Sequence, residues 1–437
     1  MTLRESRSSH STLKAIITYI MAALAVTISH AGVLDAYIQS AVQTNAALST
    51  LRTYQRVGEL EGQRLAAQVS APQVSLIANA MVAPIVSYDG KIPVLIVNPL
   101  GSNRYIGYDG AASNGGQFLG MVNVSKQFFT STVSEANRAT IQSQRGQLQV
   151  AIDRGVHDLE KAVVDRYLVC LQDKVQWMYA DSAITLISDQ IRVMESLAAA
   201  GIVRESDVAL VNLERKSFVV QRAAFASALR RDVADFKVLC GLLETDSVIV
   251  DAVDIRSNQA IGSSQYLASF TADSLAAVTT FEAFKTRYVP QVSGFANAGV
   301  NAVNVATITS RFGMSLGVNI TMNLYDGAQA GLEEIKVHEQ LLTISANARL
   351  LQTRLAEQIM RTTQEIVDCE QRLDLLNATV EESVRAVAVI RKEMASGQAI
   401  APEYVRMLRV LSTYKKDAAV LRVDLLGLKN TLNYLNW

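Results

Sequence analysis

The chain has 437 residues, with 41 Lys plus Arg balanced by 41 Asp plus Glu, so its formal net charge is zero. That balance excludes a strongly basic nucleic-acid binder, and 49% hydrophobic against 19% charged residues excludes disorder over most of the length. Three cysteines (Cys170, Cys240, Cys369) with no CxxC exclude a disulfide framework and a zinc ribbon. The only prolines stand at 72, 84, 93, 99, 290 and 402. Residues 100–289 and 291–401 are therefore free of proline, as long helices require.

The N-terminus reads as an address. Arg4, Arg7 and Lys14 precede an uncharged apolar run from Ala15 to Ile28, and Ser29-His30-Ala31 offers small residues for cleavage after Ala31. Residues 1–31 are expected to be a secretory signal peptide. The run has 14 residues, short of the roughly 20 of a membrane helix. No cysteine follows it, so no lipid anchor is expected. Its loss removes three basic residues and one acidic, leaving a net charge of −2. No later stretch reaches the length of an apolar helical span.

An internal repeat follows. Residues 72–82 and 290–300 are identical at eight of eleven positions, through Pro-Gln-Val-Ser and Ala-Asn-Ala, at an offset of 218. A second match, Val122-Asn123-Val124-Ser125 with Val318-Asn319-Ile320-Thr321, has an offset of 196. That offset persists to Gly201 and Gly397, and to Asp207 and Glu403. Strand and glycine are thus equally far apart in both halves, as if two rods must reach one plane. We place the first repeat at 32–242 and the second at 243–437, each a helix, a strand-loop-strand unit and a long helical hairpin.

The strand between the second pair of matches has the clearest pattern. Phe312, Met314, Leu316, Val318, Ile320, Met322 and Leu324 alternate with Gly313, Ser315, Gly317, Asn319, Thr321 and Asn323. Period two places every large apolar group on one face. A strand over 312–324 would exceed the roughly 9–11 residues of a tilted membrane strand. Residues 74–82, 118–128 and 292–300 are weaker copies, with Lys126 interrupting the apolar face of one. Four such strands per chain cannot close a barrel in lipid, where open edges are not tolerated and the smallest barrels have about 8 strands. The chain is expected to share a barrel within a homo-oligomer, two copies supplying eight strands and three supplying twelve. Between the strands of the first half, Tyr88-Asp89-Gly90-Lys91 before Val94–Val97 predicts a hairpin in an elaborated outer loop.

The rods come next. Ile344, Ala348, Leu351, Leu355, Ile359, Thr362, Ile366, Cys369, Leu373, Leu376, Val380, Val384 and Val387 recur every three or four residues, the seam of a coiled-coil helix. Ile152, Val156, Leu159, Val163 and Tyr167 form a similar seam. A helix of about 65 residues would be about 100 Å long. Gly201, followed by Ile202, and Gly397 are expected to stop the rods, and Pro402 suits the first turn of a returning helix. Cys369 falls in the seam and reads as a small buried apolar group.

This order, with Tyr288-Val289-Pro290-Gln291-Val292-Ser293 before one strand, Met322-Asn323-Leu324-Tyr325-Asp326-Gly327 closing another, and two tips of the form Gly-five residues-acid, resembles the TolC-like outer membrane efflux protein family. The resemblance covers nearly all of the mature chain. It implies a mainly α fold with membrane β: a homotrimer whose twelve shared strands form a β-barrel in the outer membrane. Its helical hairpins would form a periplasmic α-barrel, docked to a periplasmic adaptor protein and an inner-membrane pump, either an ABC transporter or a proton-driven pump. It implies a passive exit duct for efflux or type I secretion. Phe312 to Leu324 would face lipid, and Gly201, Ile202 and Gly397 would form the tips. Glu403 matches the first acid of the family's entrance ring. Arg406 stands where the second acid is expected and Ala399 where a basic residue is. Asp207 matches the acidic partner on the first hairpin, and Arg406 or Arg204 is its expected ion-pair partner.

No Gly-rich phosphate loop is present, and no nucleophile stands in a motif with a base. His157 and His338 have no ligand-like neighbours in sequence. No catalysis, cofactor, metal or nucleic acid is called for. The contrary class is a non-conducting coiled-coil protein of the envelope, structural or adhesive, which would have no use for duplicated amphipathic strands.

Overall fold

The computed structural model describes residues 31–96, 103–107, 116–257, 264–303, 305–396, 398 and 400–437. The signal-peptide reading lies outside these residues, apart from Ala31, and so do Gly397 and Ala399. The chain opens with helices α1 (Ala31–Thr44) and α2 (Ala46–Ser70). The Asn45 side chain between them accepts a bond from the Leu48 amide at 3.0 Å, a helix N-cap. Strands β1 (Gln73–Val82), β2 (Ile85–Ser87), β3 (Val94–Ile96), β4 (Tyr105–Ile106) and β5 (Gly116–Phe128) follow. Then come α3 (Ser131–Ala199), α4 (Glu205–Cys240), α5 (Ala268–Lys285), β6 (Gln291–Ala302), β7 (Phe312–Thr321), α6 (Gln329–Ala395) and α7 (Ala401–Leu435). The two long helices have 69 and 67 residues, close to the length the seams predict.

The chain forms two compact units, each drawing on both halves of the repeat. One contains residues up to Leu51, Ala151–Ala268 and Ala348–Trp437; the other contains Arg52–Val150 and Ser269–Asn347.

The core of the first unit is a helix bundle. Leu159, Val163, Tyr167 and Cys170 of α3 pack with Phe236 and Cys240 of α4, Ala41 of α1, Val250 and Val423. An extended segment is strapped onto α3: the Tyr167 hydroxyl accepts from the Asp251 amide at 2.7 Å and donates to its carbonyl at 2.8 Å. Lys174 holds the Val250 carbonyl and the Asp251 carboxylate. Gly241 ends α4 at φ +65°, and a Cβ there would stand 2.1 Å from Thr44 Oγ1. Only glycine meets both demands. A second cluster is aromatic. His157 is stacked between Tyr434 and Trp437, with ring centroids at 4.8 and 4.5 Å, and the Tyr434 carbonyl is bonded by His157 Nε2 and the Tyr266 hydroxyl.

The seam of α6 holds with one correction. Leu355, Thr362, Ile366 and Cys369 are buried, and the Cys369 thiol lies against the Leu421 carbonyl. Further on, Ser383 is buried and Val384 is exposed, although the sequence placed Val384 in the seam. Positions 355, 362, 369 and 383 share one strict seven-residue spacing. A coiled coil keeps that spacing by supercoiling, and it overrides the preference for the larger side chain next door.

A carboxyl pair bridges α3 and α4. Asp232 is almost fully buried, held by Arg231 at 3.1 Å and by Arg166 at 3.9 Å. The Arg231 hydrogen bond keeps its carboxyl below the usual range. Burial and the neighbouring Asp232 carboxylate push the Asp173 carboxyl up to about 6. The folded protein thus binds this proton more tightly than the unfolded chain, whose Asp titrates near pH 3.9. Stability from this group falls as pH rises from about 4 to 6. Asp173→Asn removes the carboxylate charge beside Asp232 and should raise the unfolding temperature at pH 7.5 by about 2 °C, with the gain fading toward pH 5. A variant less stable than the native chain at pH 7.5 would show that the carboxylate is needed charged.

The second unit is built on a four-stranded antiparallel sheet in the order β1-β5-β6-β7. Polar contacts flank it: Arg145 to Glu59 at 2.6 Å, Gln147 to Asp273 at 2.7 Å, and Ser143 to Thr279 at 2.8 Å. The predicted hairpin is present as β2 and β3, within a small sheet of order β3-β2-β4. Its connection runs over residues 88–93, longer than a two-residue turn. The Asp89 carboxylate accepts the amides of Asn103 and Arg104 at 2.9 and 2.8 Å, tying the approach to β4.

Candidate functional site

Two features have the form of functional surfaces, one in each unit. The first is the four-stranded sheet. Register aligns its faces. Leu316 stands opposite Ala296, Ala296 opposite Val124, and Val124 opposite Val74. Residues directly opposite in a sheet point to the same side. The apolar face of β7 is therefore continuous across all four strands. On it Phe312 is 70% exposed, Met314 82%, Leu316 87%, Val318 66% and Ile320 69%, so within one chain nothing covers them.

The strand is shorter than the sequence predicted. β7 ends at Thr321, and Met322 and Leu324 lie beyond it. Thr321 is opposite Gln291, the first residue of β6, and Pro290 before it has no N–H with which to extend the ladder. Past that point the Asn323 amide bonds the Arg287 carbonyl at 3.3 Å, and Tyr288 donates to the Asp326 carboxylate. The Tyr288 bond lowers the Asp326 carboxyl below its usual value. Asp326 also accepts the Ala330 amide at 3.0 Å at the start of α6.

The apolar face is bounded by rings. Phe312 and Phe118 lie at one end; Phe128, Phe129 and Tyr325 lie at the other, the last two 82% and 87% exposed. From Phe118 to Phe128 is ten residue steps, which at a rise of about 3.4 Å and a tilt of about 40° gives a band about 26 Å tall. The apolar band of a membrane barrel is about 25 Å tall, flanked by aromatic residues. Lys126 is in a row at the lower end, opposite Gly294, where a long side chain can reach an interface. β1 and β7 each have one unpaired edge, and three successive antiparallel pairings make these edges run in opposite directions.

The second feature is the pair of tips. At the first, Gly201 has φ +73°. The Ile202 amide bonds the Leu197 carbonyl at 2.9 Å and the Gly201 amide bonds Ala198 at 2.9 Å, a Schellman stop. The second tip carries the matching bond, Gln398 amide to Glu393 carbonyl at 2.8 Å. Ile202 is 56% exposed and Ile400 61%. The tips share a core of Ile187, Ile191 and Met194 of α3, Val211 and Phe218 of α4, Met394 of α6, and Tyr404 and Leu408 of α7.

The charged residues singled out by sequence are placed but not paired. Asp207 and Glu403 lie in the first turns of α4 and α7, where the helix dipole favours acids. Arg204 is the N-cap of α4, and Glu403 and Arg406 are exposed. Within the single chain Asp207 forms no ion pair with Arg204 or Arg406.

A pair the sequence reading missed stands one layer behind. Glu214 of α4 is 7% exposed and receives both Nε, at 2.9 Å, and Nη2 of Arg409 of α7. A signal for it exists. Glu214 falls on the seam of Val211 and Phe218, where a carboxylate needs a partner. Arg409 stands as far past Gly397 as Leu213, the residue beside Glu214, stands past Gly201.

No family model and no curated protein matches the chain by sequence. Solved structures do. The outer membrane protein VceC of Vibrio cholerae matches at a TM-score of 0.68 and 12% identity, over 92% of this chain and 95% of that one. The Campylobacter jejuni outer membrane channel CmeC matches at 0.67 and 11%, over 92% and 85%. The open state of the Neisseria gonorrhoeae outer membrane channel MtrE matches at 0.63 and 12%, over 92% and 88%. The chain has the TolC-like fold. Among the described residues no group of three His, Cys, Asp or Glu side chains is placed to hold a metal ion.

The Glu214–Arg409 pair yields a stability prediction. Arg409→Ala strands a buried carboxylate and should cost about 2 kcal/mol in thermal unfolding. The double variant Glu214→Leu/Arg409→Leu should recover most of that loss, because no buried charge remains. Equal losses in both would show that packing by the Arg stem, not charge, is what matters.

Proposed function

We propose that the chain is the outer membrane exit duct of a tripartite export system. Three copies join edge to edge, β7 of one beside β1 of the next, and their twelve strands close a barrel in the outer membrane. The observation that carries this reading is the coherent apolar face with two free, oppositely directed edges. Each new pairing is antiparallel, every apolar face stays outward, and no edge is left over. Phe312, Met314, Leu316, Val318 and Ile320 face lipid, with Met322 and Leu324 at the lower margin. The likeness in fold to VceC, CmeC and MtrE supports the same reading and the choice of three copies rather than two.

In this reading the helical hairpins extend into the periplasm. Gly201, Ile202 and Gly397 form tips that dock on a periplasmic adaptor, and an inner-membrane pump, ABC-type or proton-driven, supplies the energy. The cargo is either a small toxic compound or a secreted polypeptide. Asp207, Glu403, Arg204 and Arg406 surround the entrance, and Glu403 lines a cation-favouring constriction.

Two experiments test this. Leu316→Arg places a charge near the middle of the apolar band, at a cost of about 2–4 kcal/mol per copy. It should abolish trimers measured by mass in mild detergent, whereas Ser315→Arg, one residue away on the other face, should not. Equal loss in both variants would sink the face assignment. In planar bilayers, Glu403→Ala should weaken cation preference and block by divalent cations; unchanged selectivity would remove Glu403 from the constriction.

A further inference from the structure

The four strands contain one ionisable side chain, Lys126, and register places it on the apolar face. The opposite face of the described sheet is therefore uncharged from end to end. It is not simply inert. One row crosses all four strands as Ser75, Asn123, Asn297 and Ser315, with Asn123 Nδ2 reaching Ser75 Oγ at 3.4 Å. The next row begins with Ile77 opposite Met121 and continues through two glycines, Gly299 and Gly313. A polar belt thus lies beside an apolar one, both on the face turned away from the lipid-type surface.

We propose that this face is a charge-neutral lining for uncharged and zwitterionic amphipathic organic solutes, and that the Ser75–Asn123–Asn297–Ser315 row is its solute-contacting belt. The proposal rests on the channel reading, which turns this face toward a lumen. Three copies would place twelve amide and hydroxyl groups around one level. Amides and hydroxyls both donate and accept, so they replace water around a neutral polar group without favouring either sign. The Ile77–Met121 row beside them offers contact to the apolar part of the same solute. A ring of like charge would instead concentrate one sign of ion in the lumen. A transition-metal cation, which is held by carboxylates, thiolates or imidazoles, finds none of them on this face. This face therefore adds no sorting by charge of its own.

The test is the ratio of potassium to chloride permeability of the purified mature chain, from reversal potentials under a potassium chloride gradient in a planar bilayer. Low salt is used, so that the Debye length approaches the width of the lumen. Asn297→Asp and Ser315→Asp each add three carboxylates per trimer and should raise the ratio about two-fold or more, while Asn123→Lys should lower it by a similar factor. Two aspartate positions are used so that misfolding of one leaves the other. In a Glu403→Gln background the two aspartate variants should still raise the ratio by a similar factor, because the sheet face acts independently of the tip carboxylate. A channel that conducts but ignores all three substitutions would overturn the lumenal placement of this row. Aspartate variants without effect in the Glu403→Gln background, though effective in the native one, would overturn the independent action of the sheet face. A native chain that never conducts would bring down the channel reading and this inference with it.

Discussion

Two rows of unpaired backbone groups, along the outer edges of β1 and β7, constrain the rest of the molecule. In water an exposed edge next to a large apolar face recruits other strands without limit. In hydrocarbon an unpaired N–H or C=O costs several kcal/mol, so an open sheet is not viable there either. Closure is the one arrangement that satisfies both edges, and this sheet is built for it. Its strand number is even, its edges run in opposite directions, and its apolar groups align through the whole register. Each of these would be unnecessary in a sheet covered by its own chain. The duplication accounts for the even number: each half contributes one up strand and one down strand.

On the channel reading, closure of the sheet leaves the helices a different task. Their hairpins are stabilised by narrow seams rather than by a broad core. Most of the α6 surface is exposed, and among its buried positions Leu355, Thr362, Cys369 and Ser383 are spaced by multiples of seven residues. A seam that accepts threonine, cysteine and serine is not chosen for maximum apolar area. Small side chains at those positions allow neighbouring helices to approach closely, and the regular interval keeps one face turned inward along the whole rod. The same economy shows where the hairpins turn. Both tips use the six-to-one backbone bond of the Schellman stop, so their positions depend on main-chain geometry rather than on a particular side chain.

The sequence made the strand faces legible because period two is read directly from alternation, and register then follows from keeping those faces aligned. The rods were legible for the same reason at period three to four. The tips were legible because glycine marks a left-handed stop and the offset of 196 repeats it. What escaped had no periodic signature. The end of β7 at Thr321 depends on Pro290, which precedes its partner strand β6. The burial of Ser383 rather than Val384 depends on the interval being counted across the whole helix instead of step by step. His157 looked solitary in sequence and is stacked between Tyr434 and Trp437, which come from the far end of the chain. Glu214 meets Arg409 across 195 positions. Long-range pairs of this kind are visible only once two elements are known to lie side by side.

That last pair changes how the entrance is to be understood on the channel reading. The acids nearest the tips, Asp207 and Glu403, lie at the positive ends of their own helices, which favour them there. The tie between α4 and α7 lies deeper, where Glu214 is shielded and Arg409 reaches it with two nitrogens. A surface ion pair is worth little and breaks readily in salt. A shielded bidentate one is different in kind, because separating its members strands a carboxylate in an apolar seam. Arg409 is 63% exposed, so a docking partner has access to one member of the tie and not to the other. Parting α4 from α7 therefore carries a cost that salt alone does not remove.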